Sequence, residues 1–407
     1  MQHKRLWSAL LVLVLVLSVV SSAFAESDGP TDLALSADTT VTIAGRYIVV
    51  FKDGTDPAAI DAAIAQAEMA AAAESLDAAP DAPRGMTVHY RYSSALLGFA
   101  ASMPASSLQA LEKNANVDYI EADQVITIDA TQTGATWGLD RIDQRALPLS
   151  TTYTYNATGA GVTAYIVDTG ILFGHTEFGG RASFGYDAFG GNGTDCNGHG
   201  THVAGTVGGA TYGVAKGVTL KAVRVLDCGG SGTTTGVIAG VDWVASNHAA
   251  GALAVANMSL GGGISSALDS AVNNAIADGV TFAVAAGNSN RDACKFSPAR
   301  VPAAITVGAT TNTDARASYS NYGACLDLFA PGSSITSAWY TSNAATNTIS
   351  GTSMATPHVA GVAALYLQGV PSASPETVRN AIVANATSNV VGNAGRNSPN
   401  KLLYTNY

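Results

Sequence analysis

From residue 162 onward the chain alternates between two apolar patterns. Near-continuous apolar runs occur at VTAYIVD (162–168), LKAVRVLD (220–227), ALAVANMSL (252–260), VTFAVAAG (280–287) and AITVGAT (304–310). Strands apolar on successive residues are buried on both faces, as in a parallel sheet covered by helices. The intervening stretches 199–208, 233–248 and 265–278 read as helices, as do the residues after Ser353. The pattern predicts an α/β domain with a mostly parallel sheet. Ligand sites in such sheets lie at the carboxyl ends of strands, where Asp168 and Asn288 fall.

The preceding region has a different rhythm. Residues 46–52 read as a strand, 57–76 as an Ala-rich helix, 86–101 as a strand pair, 104–113 as a short helix and 117–128 as a strand. The acidic stretch 73–84 reads as a loop or helix end. This β-α-β-β-α-β order predicts a small α+β sandwich of the ferredoxin-like kind. Before it, His3, Lys4 and Arg5 precede an apolar run from Leu10 to Val20 and the small-residue pair of Ala23-Phe24-Ala25. That is the pattern of a secretory leader cleaved after Ala25. The run is short of the ~20 residues that span a bilayer, so a membrane anchor is the weaker reading.

Composition divides the chain at the same places. Residues 26–129 carry 5 Lys+Arg against 16 Asp+Glu, and residues 130–407 carry 13 against 14. The expected organisation is a leader at 1–25, an acidic domain at 26–129 and a nearly neutral domain at 130–407. A formal net charge of −10 argues against nucleic acid as a partner, because phosphate binding needs a surplus of Lys and Arg. With 12% charged and 47% hydrophobic residues, the chain builds a large core rather than a disordered coil. Cys196, Cys228, Cys294 and Cys325 all follow residue 130. In an exported chain they suggest two disulfides, with three connectivities open.

Four segments carry candidate chemistry. Asp168 ends a strand in IVDTGI, where a buried carboxylate needs a donor or cationic partner. An aspartic protease would need a second Asp-Thr-Gly or Asp-Ser-Gly to share its proton, and the chain has none. His199 lies in NGHGTHVAGT among small residues that let a helix start press on the sheet. With Cys196 and His202 it also has the spacing of a zinc site. Asn288, in VAAGNSN, can donate a side-chain amide to a developing oxyanion. Ser353, in SGTSMATPHVAG, sits where a helix begins and unpaired amides concentrate positive potential. Alone it would be a helix cap. The order Asp…His…Asn…Ser belongs to one of the known serine-hydrolase arrangements and not to the others.

DTGI, HGTHVAGT, AAGN and GTSMATPHVAG resemble the four signature blocks of the subtilases, closest to the proteinase K branch and its aqualysin-like secreted members. The resemblance runs through nearly all of 130–407, including WGLDRIDQR and ARASYSNYG, and 46–128 resembles the family's inhibitory propeptide. It implies a subtilisin-like three-layer fold and a secreted serine endopeptidase that processes itself. Ser353 would be the nucleophile, His199 the base, Asp168 its partner, and Asn288 with the Ser353 amide the oxyanion hole. Gly230-Ser231-Gly232 and Ser259-Leu260-Gly261 resemble the two edges that take an extended peptide as an added strand. Leu260, Ala285 and Gly287 would favour apolar residues before the cut. The implied disulfides are Cys196–Cys228 and Cys294–Cys325, which would remove Cys196 as a zinc ligand. The implied metal is structural calcium, at Asp327 with the carbonyls of Pro302 and Ala304, and at Asp140, Asp143 and Gln144, since oxygen ligands suit a hard cation. The expected partners are protein substrates and the chain's own propeptide, for a monomer free of the membrane once the leader is removed. The rival readings are a binding protein that has lost its chemistry, although all three triad residues are present, and an esterase.

Overall fold

The computed structural model describes residues 42–74, 85–124 and 130–407. The chain divides into two compact units, Met1–Val125 and Ile126–Tyr407. The leader, most of the 73–84 stretch and the strand end and junction expected at 125–129 lie outside the described residues.

The first unit contains β1 (Thr42–Phe51), α1 (Pro57–Glu74), β2 (Thr87–Tyr92), β3 (Gly98–Ser102), α2 (Ala105–Glu112) and β4 (Val117–Gln124). Its antiparallel sheet has the order β2-β3-β1-β4. Alternation along the strands turns Val49, Phe51, Phe99 and Ala101 onto Ile60, Ala63, Ile64 and Ala67 of α1 and Leu111 of α2.

The second unit opens with β5 (Ala130–Thr133), α3 (Trp137–Ile142) and β6 (Thr152–Tyr155), and β5 pairs with β6. Then follow β7 (Thr163–Asp168), β8 (Ala182–Asp187), α4 (His199–Gly208), β9 (Thr219–Arg224), α5 (Thr234–Asn247), β10 (Ala254–Met258), α6 (Ser266–Ala277), β11 (Thr281–Ala285) and β12 (Ile305–Thr310). The remainder is β13 (Leu328–Pro331), the hairpin β14 (Ile335–Ala338) and β15 (Thr346–Ile349), α7 (Thr352–Gly369), α8 (Pro375–Asn385), β16 (Thr387–Ser388) and β17 (Lys401–Leu402). The nine-stranded sheet runs β16-β17-β13-β12-β11-β10-β7-β9-β8. It is parallel apart from the β16–β17 pair.

The double burial read from the apolar runs has its cause in two helical layers. Ala164 and Ile166 of β7 join a cluster with Val203 and Val207 of α4 and Ala355 and Val359 of α7. Tyr165 and Val167, one residue out of phase, join Val237 and Val241 of α5 and Val272 of α6 on the other face. β8 escapes the apolar criterion because it is an edge strand with half-open residues, and β13 because it is only four residues long and ends in proline.

After β7 the chain moves outward to β8, returns as β9, and crosses to β10 on the other side of β7. β7 is therefore the switch point of the sheet, and the crevice beyond its carboxyl end is where such sheets bind ligands. No helix among the described residues is long and apolar enough to cross a membrane.

α7 lies close to the segment after α4 because Gly361 has no side chain. A Cβ there would stand 2.5 Å from the Val214 Cβ. Gly361→Val is expected to destabilise the fold by about 1–3 kcal/mol through overpacking. Thermal unfolding measures it, and an unchanged midpoint would show that the layers can part at no cost.

Candidate active site

Asp168 is the last residue of β7 and has 0% exposure. Its carbonyl accepts the amides of Val225 (2.9 Å) and Leu226 (3.2 Å). Those bonds turn the chain out of β9 at Arg224, three residues earlier than the apolar run suggests. Its carboxylate accepts the Thr169 N–H at 2.8 Å and His199 Nδ1 at 2.8 and 2.9 Å from its two oxygens. A carboxylate partner places the proton on Nδ1 and leaves the neutral ring's lone pair on Nε2. Burial presses the His199 pKa down, but the Asp168 charge and hydrogen bond, with the charge of Asp195, outweigh it and hold the pKa above the ordinary 6.5.

His199 opens α4 after Gly198, whose φ is +110°. A Cβ on Gly198 would also stand 2.5 Å from the Trp339 ring. Only glycine meets both demands, for a backbone region that other residues rarely enter and for room beside an indole.

Ser353 is the second residue of α7. Its Oγ donates to the Ser259 carbonyl at 3.1 Å, and Ser259 Oγ donates back to the Ser353 carbonyl at 2.7 Å. That carbonyl is free because its helical donor would be residue 357, a proline inside the helix with no N–H. Asn288 Oδ1 accepts from the Thr352 amide (2.8 Å) and Thr352 hydroxyl (3.0 Å). With its oxygen so held, Nδ2 is left to point elsewhere. A Cβ built on Gly351 would lie 3.6 Å from both Asn288 Nδ2 and the Ser353 amide nitrogen. The two donors therefore converge on one small space.

A cleft of about 540 Å³ opens beside His199 and beside Ser259, the partner of Ser353. Thr169, Asn197 and His199 line it on one side, Gly229–Thr233 after β9 on a second, and Ser259–Gly263 after β10 on a third. Among the described residues, the main-chain groups of Gly232 and Gly261 and the carbonyl of Gly230 have no partner. Two open backbone edges thus face one cleft.

The Subtilase family profile matches residues 159–402, and the Peptidase inhibitor I9 profile matches residues 46–129. The chain belongs to the subtilase family. It is similar over its whole length, at 58% identity, to an extracellular serine proteinase of Thermus sp., which it also covers in full. It is 53% identical to alkaline serine exoprotease A of Vibrio alginolyticus, over 92% of this chain and 70% of that one. The crystal structure of a cold adapted subtilisin-like serine proteinase has 59% sequence identity to it, with a TM-score of 0.65, over 68% of this chain and 100% of that one. This subtilase is an extracellular serine proteinase whose N-terminal domain is an I9 inhibitor segment.

The remaining candidate residues of the subtilase fare unequally. Cys196 is bonded to Cys228 and Cys294 to Cys325, so Cys196 has no thiolate to offer zinc. His202 Nε2 lies 3.0 Å from the Ile335 carbonyl. Burial, aided by the neighbouring His199 and His358, lowers its pKa to about 4 against the pull of that carbonyl. It is a neutral core histidine.

At the cation site expected at Asp327 with the carbonyls of Pro302 and Ala304, the carboxylate has protein partners of its own. One Asp327 oxygen accepts the Thr306 amide at 2.7 Å, and the other pairs with the Arg379 guanidinium. Arg379 of α8 brings positive charge to this carboxylate, yet burial outweighs it and the Thr306 amide and still holds the Asp327 pKa above the usual carboxylate range. Asp140, Asp143 and Gln144 also have the chemistry to hold a cation. Asp140 accepts from Ser150 N and Thr151 N at 3.0 and 2.7 Å, Asp143 from Thr154 N at 2.6 Å, and Gln144 Oε1 from Ser150 N at 3.2 Å. Asp143 Oδ1 is buried with no partner. Burial raises the Asp143 pKa to about 6, the Thr154 amide opposes this, and the Asp140 carboxylate adds to it. A hard cation would relieve both the burial and the repulsion.

Several contributors are not visible in the motifs. Thr352 holds Asn288. Buried Asn321 holds the segment around Asn288 by accepting from Ser289 N and Arg291 N (3.1 and 2.9 Å) and donating to the Ala286 carbonyl (2.7 Å). Leu226, Val237 and Leu268 give the cleft its apolar wall. Asp195, an acidic residue just before a helix start, is the one with a sequence signal.

Proposed function

We propose that this subtilase cleaves peptide bonds by a Ser-His-Asp acyl-enzyme mechanism, with Ser353 as nucleophile, His199 as base and then acid, and Asp168 as the partner of the imidazole. The observation that carries the reading is the hydrogen bonding of His199 Nδ1 to both Asp168 oxygens, on a cleft that His199 shares with Ser259, the partner of Ser353. The Ser353 hydroxyl turns from Ser259 towards His199 Nε2, gives up its proton, and its Oγ bonds to the scissile carbonyl carbon. The carbonyl oxygen becomes an oxyanion between the two N–H donors. His199 then protonates the leaving amine, and water releases the acyl group by the reverse steps. Peptide rather than simple ester is favoured by the two open edges, Gly230-Ser231-Gly232 and Ser259-Leu260-Gly261, which suit an extended chain entering as a middle strand. Leu226, Val237, Leu260 and Leu268 along the cleft favour apolar side chains, within a broad specificity.

The precursor reading divides the chain into a leader at 1–25, an inhibitory and chaperoning propeptide at 26–129, and a monomeric catalytic domain at 130–407. The I9 match at 46–129 supports the second part. Calcium would be held by Asp140, Asp143 and Gln144, where it would supply positive charge to a carboxylate pair and no step of the chemistry.

Ser353→Ala is expected to leave uncut precursor on a gel when expressed in a host without other secreted proteases. A normally sized mature form would end the self-processing reading. Asn288→Ala is expected to lower kcat by about 100–1000-fold with KM nearly unchanged, because its donor acts on the transition state. A rise in KM alone would make it a substrate-holding residue instead. Chelation should lower the unfolding temperature more than it lowers initial activity at low temperature, and Asp143→Asn should abolish that shift. Equal shifts in both proteins would place the cation elsewhere.

A further inference from the structure

Asp195 is a second buried carboxylate beside His199, and the proposed mechanism gives it no step. Its exposure is 4%. Oδ1 accepts from the Thr169 hydroxyl, the Asn197 amide and the Gly198 amide, each at 2.9 Å. Oδ2 accepts from the Thr201 amide at 2.9 Å and the Thr201 hydroxyl at 2.6 Å. Every partner is next to the candidate triad. Asn197 and Gly198 immediately precede His199, and Thr201 lies in the first turn of its helix. Thr169 follows Asp168.

Thr169 completes a bridge. Its N–H donates to the Asp168 carboxylate at 2.8 Å, while its hydroxyl donates to Asp195 and accepts the Gly200 amide at 2.8 Å. The strand end that carries Asp168 and the helix start that carries His199 are thereby tied through one carboxylate and one hydroxyl. No covalent link nearer than 31 residues joins the two. The bridge adds to the direct Asp168–His199 hydrogen bond and to the Leu172 amide's bond with the Thr201 hydroxyl, and misplacements on the order of 1 Å cost roughly 100-fold in rate.

On the Ser-His-Asp reading, we propose that Asp195 is a positioning residue that acts on His199 in two ways, through the Thr169 bridge that sets the imidazole against Asp168 and through its own negative charge. The charged and titratable groups facing His199 are Asp168 from β7, Asp195 from the loop before α4, and His202 from within α4. Two of the three are carboxylates. Both favour the imidazolium that forms as the serine proton is taken, and both hold the His199 pKa up against burial. The sign follows. A raised pKa means the base is lost as pH falls through a value above 6.5, so the acid limb of the pH profile of kcat/KM should lie above the ordinary histidine position. Removing the Asp195 charge should move that limb to lower pH, and further than removing the bridge alone.

The test uses the full chain, matured in the culture medium, with Asp195→Asn, Thr169→Val and Thr169→Ser. Active sites are counted by labelling with diisopropyl fluorophosphate, which esterifies an activated serine with loss of fluoride, and the labelled residue is found by mass spectrometry. For Asp195→Asn, kcat/KM per labelled site should fall roughly 10–100-fold, mostly in kcat, and the acid limb should shift downward. Thr169→Val should lose rate with a smaller limb shift than Asp195→Asn, and Thr169→Ser should recover most of the rate. A wild-type limb and rate in Asp195→Asn would overturn the proposal. So would a lower rate with an unmoved limb, the mark of a merely structural role. If Asp195→Asn does not mature, the Thr169 pair decides, and equal rates in Val and Ser overturn the bridge. Failure of the wild type to label at Ser353 would sink the triad reading itself, which is a distinguishable result.

Discussion

A carboxylate with no access to water ends strand β7 of this subtilase, and much of the surrounding architecture answers to it. Burying an unpaired charge costs several kcal/mol, so Asp168 must be met by donors. Thr169 N–H supplies one and His199 Nδ1 the other. Its main chain in turn collects two amides from beyond β9, which starts the segment that becomes one wall of the cleft. Because β7 is also the switch point of the sheet, the segments after β9 and β10 leave on either side of Asp168. Charge satisfaction and topology therefore act at the same residue.

The serine side is organised by what a helix lacks. Pro357 removes one amide from α7, and the carbonyl so released belongs to Ser353. Ser259 takes that carbonyl, binding the segment after β10 to the start of α7. The Thr352 and Met354 amides have partners, and the Ser353 amide between them is left beside the same space as Asn288 Nδ2, whose oxygen Thr352 has claimed. Such a site needs little reorganisation when charge develops, the condition under which fixed dipoles are most effective.

Elsewhere the subtilase neutralises buried carboxylates by two routes. Asp327 uses Arg379, and Asp314 uses Arg141, whose Nε and Nη2 donate at 2.7 and 3.0 Å. Asp140 and Asp143 use backbone and hydroxyl donors and still leave one oxygen unmet. Asp327 and Asp314 each meet a guanidinium, whereas among the described residues no ion pair reaches Asp140 or Asp143.

The sequence by itself determined the layered α/β architecture, because strands such as 162–168 are apolar on successive residues and only a doubly covered sheet buries both faces. It also pointed to Asp168, His199, Asn288 and Ser353, because each stands where a strand ends or a helix begins and local chemistry is readable there. It could not say that Asp327 would meet Arg379, that Asn321 would hold the loop around Asn288, or that Asp195 would join Asp168's neighbour to the His199 helix. Those partners are tens of residues apart, and none shares a periodic pattern with its mate. Periodicity reports which face of an element is buried. Only the tertiary path of the loops brings distant polar side chains within hydrogen-bonding distance, and so decides which buried charges are already satisfied and which still need a partner.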